Sequence, residues 1–163
     1  MAFTDLTSTA SVRAVLGVSE RELRDDILLD PIFAVELTEA LYDIHLNLFG
    51  DFKLAAATDP RTSLQQRFVD LAQTFAAYHI AKQCLGSVAM FAPKVIKDSR
   101  SELQRSDDPY KNLRIDVPAS LALLRTRLRM VYAQINPDAT IPTSLDRIRL
   151  VATPLGINPV TGA

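Results

Sequence analysis

Leu64, Phe68, Leu71, Phe75, Tyr78, Ala81, Leu85 and Val88 recur at spacings of three and four over about 25 residues, and no proline interrupts them before Pro93. That period puts every one of these side chains on one face of an α-helix. A helix so long and so apolar must be covered, so the chain is bound to build other helices around it. Ala72, Ala76, Ala77 and Ala89 lie on the same segment and are small enough for a neighbouring helix to approach closely.

The flanking sequence supplies the covering helices. Ser11–Leu16 followed by Gly17 predicts a short helix with a glycine C-cap. Ser19-Glu20-Arg21-Glu22 is a capping box, expected to open a second short helix with Leu23, Ile27 and Leu28 on its apolar side. Asp30-Pro31 restarts the chain with Asp as N-cap and Pro at the first helical position. From there Phe33, Leu37, Leu41, Ile44 and Leu48 draw one apolar stripe. Either Gly50 ends this third helix or the helix runs on through KLAAAT to Asp59-Pro60. Beyond the long helix, Pro118-Ala119-Ser120 is expected to open a last one, lined by Leu121, Leu124, Leu128 and Val131/Tyr132. The fold class expected is all-α: a helix bundle with a long central helix, a polar central excursion and an extended C-terminal tail.

The excursion, FAPKVIKDSRSELQRSDDPYKN at 91–112, is polar and charged between two helical stretches. Loops of that length are usually functional or disordered; the alternatives to a functional excursion are a mobile surface loop and a continuation of the long helix. Division of the chain follows: residues 1–135 form a helical domain, with the excursion at about 92–117, and 136–163 form the tail. The tail carries Pro137, Pro142, Pro154 and Pro159, and its DRIRLVAT alternates, with Ile148 and Leu150 on one face as in an edge strand.

Apolar residues make up 48% of the 163, enough for a core without metal or disulfide support, and Cys84 is the single cysteine. No apolar run reaches the roughly 18 residues of a membrane span. MAFTDLTSTAS lacks the basic and apolar regions of a signal peptide, so a cytosolic origin is expected. Net charge is −1, but residues 1–60 hold four Lys/Arg against eleven Asp/Glu, a net −7, and residues 61–163 hold fourteen against eight, a net +6. The halves complement each other within one fold, or an acidic face on one copy meets a basic face on the next, as a head-to-tail ring favours. A nucleic-acid face ranks third, because no basic cluster is interleaved with aromatics.

Catalysis needs convergent acids, bases or nucleophiles, and the chain offers little of that kind. His45 falls beside the Leu41–Leu48 stripe. His79 precedes Cys84 by five positions, about 140° apart on a helix, whereas metal ligands sharing a face need i and i+4. Structural histidines and a packed thiol are the expectation. Asp25-Asp26 and Asp107-Asp108 are adjacent and diverge, and none of the five glycines builds a phosphate-cradling loop. No enzyme, cofactor or metal site is expected. A helix-turn-helix is raised by VRAVLGVSERELRDDILL, yet its second helix carries Glu20, Glu22, Asp25 and Asp26 against Arg21 and Arg24, and acids repel phosphates.

Two stretches resemble the head–tail connector (neck adaptor) proteins of tailed bacteriophages. VRAVLGVSERELRDDILLDPIFAVELTEAL at 12–41 is similar to their opening VRxxLGV helix, short D-x-x-L helix and long amphipathic helix. FAAYHIAKQCLGSVAMFAPKVIKDSRSELQR at 75–105 is similar to their passage around FAPK-x-I-x-D, with Ser99 where a glycine is expected. The final helix completes the order, and the closing N-P-V-T-G looks like the ends of such adaptors. The resemblance covers most of 10–135.

It implies a structural virion protein of the neck: a homo-oligomeric ring, a dodecamer in such families, that joins portal protein to tail or nozzle proteins. The ring would continue a channel through which DNA passes without sequence specificity. The location implied is the virion, with the host cytoplasm during assembly, and no membrane. On that reading Lys94, Lys97, Arg100 and Arg105 are candidate channel- or neighbour-facing residues, with six basic and four acidic groups mixed over 94–114. Arg125, Arg127 and Arg129 are candidate inter-subunit residues. Ile148, Leu150, Asn158, Pro159 and Val160 are the candidate portal-binding tail, which would order as it docks. The alternative is another all-α virion factor, for head completion or tail termination, ahead of a helix-turn-helix regulator.

Overall fold

The computed structural model describes residues 3–91, 95–98, 101–104 and 111–137. The protein is an all-α helix bundle, and among the described residues a short β-hairpin is inserted between the two longest helices. After a 3-10 turn at Phe3–Asp5, helix α1 (Thr9–Leu16) starts two residues before its expected position. Ser8 is the reason: its hydroxyl accepts the Ser11 amide at 3.1 Å. Gly17 closes α1 at φ +65°, with its own amide bonded to Ala14 O and that of Val18 to Arg13 O, as the glycine C-cap required.

The capping box at Ser19–Glu22 forms, but it closes a turn and not a helix. The Ser19 amide and hydroxyl both donate to the Glu22 carboxylate, at 2.8 and 2.9 Å. Arg24 then adopts an extended ψ of 154°, so α2 is only Asp25–Leu28. Leu23 and Leu28 are buried, and Arg13 ties the segment to α1 through Leu23 O and the Asp25 carboxylate. Asp30 caps α3 (Pro31–Tyr42) by accepting the Ile32 amide at 2.9 Å, with Pro31 at the first turn as expected.

The third helix neither ends at Gly50 nor runs unbroken to it. It stops at Tyr42, and residues 43–47 turn before α4 (Leu48–Ala57), which contains Gly50 in its first turn. Leu37, Leu41, Ile44 and Leu48 are all buried across the interruption. One tight turn preserves the spacing of the stripe while changing the chain direction. Arg61 caps the α4 carbonyls, donating to Ala55 O at 3.1 Å and to Ala56 O. Thr62 and Gln65 form a reciprocal box that opens α5 (Ser63–Phe91).

α5 is the centre of the bundle, packed against α1, α3, α4 and most extensively α6. Phe68, Phe75, Ile80 and Cys84 are sealed, and Ala72, Ala76 and Ala77 are buried with them, while the side chain of Ala89 lies outside those described. α6 (Lys111–Ile135) corrects the expected start at Pro118, and with it the extent of the excursion. Pro118 lies inside the helix, because Leu113 and Val117 carry the stripe of Leu121, Leu124 and Leu128 back by two turns. Their packing outweighs the missing proline N–H.

Between α5 and α6, β1 (Val95–Asp98) and β2 (Ser101–Gln104) pair antiparallel, with Val95 opposite Gln104 and Asp98 opposite Ser101. Over these residues the excursion is therefore a hairpin and not a continuation of the long helix.

Candidate interaction surfaces

Lys97 of β1 stands in register with Glu102 of β2. Lys94, Arg100 and Arg105 lie outside the described residues, as do Ile148, Leu150, Asn158, Pro159, Val160 and the expected edge strand around DRIRLVAT.

The three arginines of α6 separate. Arg125 Nη2 lies 3.2 Å from Asp43 Oδ2, and Arg129 Nη2 donates to the Asp43 carbonyl at 3.0 Å. Asp43 is the C-cap of α3, where carbonyls concentrate negative charge, so both guanidiniums close that helix end inside one chain. To that extent the acidic and basic halves complement each other within the fold. Arg127 points the other way and is exposed.

Sequence reasoning missed a polar cluster at the same end of the bundle. Tyr132 is buried, yet its hydroxyl donates to Asp51 Oδ2 at 2.6 Å and lies 2.9 Å from His45 Nδ1. Asn136 Nδ2 reaches the same Asp51 oxygen at 3.4 Å. Burial, then the hydrogen bond to the Asp51 carboxylate, pushes the phenol pKa up. The cluster joins the 43–47 turn, α4 and α6. Periodicity placed Tyr132 in the core but carries no information on which polar groups meet its hydroxyl.

His79 and Cys84 do not form a site together. Cys84 is buried, and burial raises its thiol to about 11. His79 is pushed down by burial, with Lys82 next in effect. Its ring nitrogen Nε2 meets Gln83 at 3.1 Å, and Gln83 also donates to the Glu36 carboxylate. Among the described residues no three of His, Cys, Asp and Glu gather as metal ligands, and no helix is long and apolar enough to cross a membrane. The helix-turn-helix reading fits poorly: α2 has four residues and opens on Asp25 and Asp26.

Two exposed apolar faces were also missed. Ile115, Leu123 and Met130 on α6 are 51 to 64% exposed, and Leu29, Ile32 and Val35 around the start of α3 are 52 to 61% exposed. The signal for the first was present in the sequence as a second periodic stripe, offset from the core stripe of the same helix.

No family model, no curated protein and no solved structure matches this chain.

Proposed function

We propose that this chain is a structural protein of the phage neck, a subunit of a ring that joins portal to tail and continues the DNA channel. The observation that carries the reading is the order of elements along the two stretches resembling connectors. A short glycine-capped helix, a four-residue helix and a capped amphipathic helix come first. A long helix then leads through FAPKVIKD into the hairpin. The mixed charge of that excursion suits a surface that DNA must slide past, because a strongly basic one would hold it. Exposed apolar faces on α3 and α6 suit a part that works by contact with neighbours.

The test is the protein content of DNA-filled particles. Particles are sedimented from a lysate of the source and the chain is counted by mass spectrometry against the portal protein. About one copy per portal subunit supports the reading. A chain left in the soluble fraction and missing from particles sinks it, and gel shifts on low-salt DNA would then examine a regulator.

A further inference from the structure

At 100° per residue, Ile115, Ala119, Ala122, Leu123, Thr126 and Met130 fall within an arc of about 100° on α6, turned away from the core stripe. No charged residue of α6 falls within that arc. The stripe is about 22 Å long, and its three large side chains are each more than half exposed. A surface helix normally spends that face on charge, so this one is shaped for a partner. Arg127 and Asp116 stand along one edge; α6 as a whole carries Lys111, Arg114, Arg125, Arg127 and Arg129 against that single Asp.

A second apolar face lies where α2 meets α3. Leu29, Ile32 and Val35 are exposed, and a recess of about 360 Å³ opens among Asp26, Ile27, Asp30, Ile32 and Phe33. Glu36 and Glu39 project from the exposed side of α3. From Asp25 to Phe52 the chain contains seven Asp/Glu and no Lys or Arg. The two faces therefore pair apolar with apolar and basic with acidic.

We propose that the outer stripe of α6 docks on the α2–α3 face of a second copy of this chain, with Arg127 set among Asp30, Glu36 and Glu39. Two different patches on one molecule make a heterologous contact, which propagates from copy to copy until it closes. The contact rests on the ring reading above and names the surfaces that would build it. Arg125 and Arg129 lie outside it, because they already serve Asp43 within the chain.

Sedimentation velocity over a concentration series tests the contact with the full-length protein. The wild type is expected to grow beyond a dimer as concentration rises. Arg127→Glu is expected to weaken association about tenfold, and adding Glu39→Arg to recover most of that loss. Leu123→Asp with Met130→Asp, and separately Ile32→Asp with Val35→Asp, should each leave monomers. These are exposed positions, so far-UV circular dichroism and melting should match the wild type. Mixing the two aspartate variants one to one must give a dimer that grows no further, since one good face of each kind remains.

A mixture that stays monomeric overturns the proposal. So does association of the α3-face variant with itself, which would mean that α6 packs on α6. A wild type that remains monomeric at every concentration also overturns this contact, while the particle count decides the neck function separately. An associating chain that is absent from particles would leave the contact standing and remove the function.

Discussion

Tyr132 is the residue on which the lower end of the bundle turns. It packs 4.9 Å from the His45 ring and 5.8 Å from Phe68, centroid to centroid, while its hydroxyl serves Asp51. Tyr132→Phe keeps the ring and removes a hydrogen bond to a half-buried carboxylate, so a loss of about 1–3 kcal/mol is expected. Urea denaturation measures it, and a double-mutant cycle with Asp51→Asn should show strong coupling between the two sites. Two buried groups also give stability a pH dependence of opposite sense at the two extremes. The folded Cys84 thiol titrates at about 11 against 9.0 for an ordinary thiol. Its contribution is whole below pH 9 and is lost as pH rises toward 11, because the unfolded chain releases that proton first. His79 is depressed below 6.5, so the fold favours the neutral ring. Its contribution is whole above 6.5 and erodes as pH falls through that value. Denaturation between pH 5 and 11 should give a dome, and Cys84→Ala should lessen the alkaline loss, part of which belongs to the raised Tyr132 phenol, while leaving the acid side unchanged.

At the scale of single elements, two glycines separate conformation from space. A Cβ at Gly17 or at Gly50 would meet nothing within 4 Å. Gly17 has φ +65°, so Gly17→Ala is expected to cost about 1 kcal/mol through the backbone alone. Gly50 is an exposed helical residue of α4, and Gly50→Ala should stabilise by about 0.5–1 kcal/mol. Opposite shifts in thermal midpoint check both. Elements with local causes were legible in the sequence: the Gly17 stop, the Asp30-Pro31 start and the periodicity of α5. Those decided by competition were not. The turn at 43–47 hid because Ile44 within it and Leu48 just after it keep the spacing set by Leu37 and Leu41. The early start of α6 hid because Pro118 is a good first residue, and only packing of Leu113 and Val117 overrides it. The hairpin hid because four-residue strands such as VIKD and SELQ carry almost no period, and their pairing is a property of two segments together. Among the candidate site residues, the type of charge was readable and its direction was not. Arg125 and Arg129 differ from Arg127 by which side of one helix they occupy.

For the whole molecule, the hairpin and the bundle can be tested separately. The strands β1 and β2 pack principally on each other, whereas α5 and α6 hold each other along their length. The core formed among the described residues, from Leu6 to Tyr132, is drawn from the helices and the turns that precede α5. Replacing 95–104 with a short Gly/Ser linker leaves all of those core residues in place, and loop length enters stability only logarithmically. Stability should change by no more than about 1 kcal/mol. If the chain is the ring subunit proposed above, assembly should respond differently, because the mixed charge of the hairpin would then meet a neighbour or the passing DNA. The shortened chain is expected to melt like the parent and to associate through its α6 and α3 faces as before. Its copy number in DNA-filled particles should fall, or the particles should fail to retain DNA. If the shortened chain enters particles at full number and they remain filled, the excursion has no part in the neck. If instead it unfolds, the hairpin belongs to the core after all.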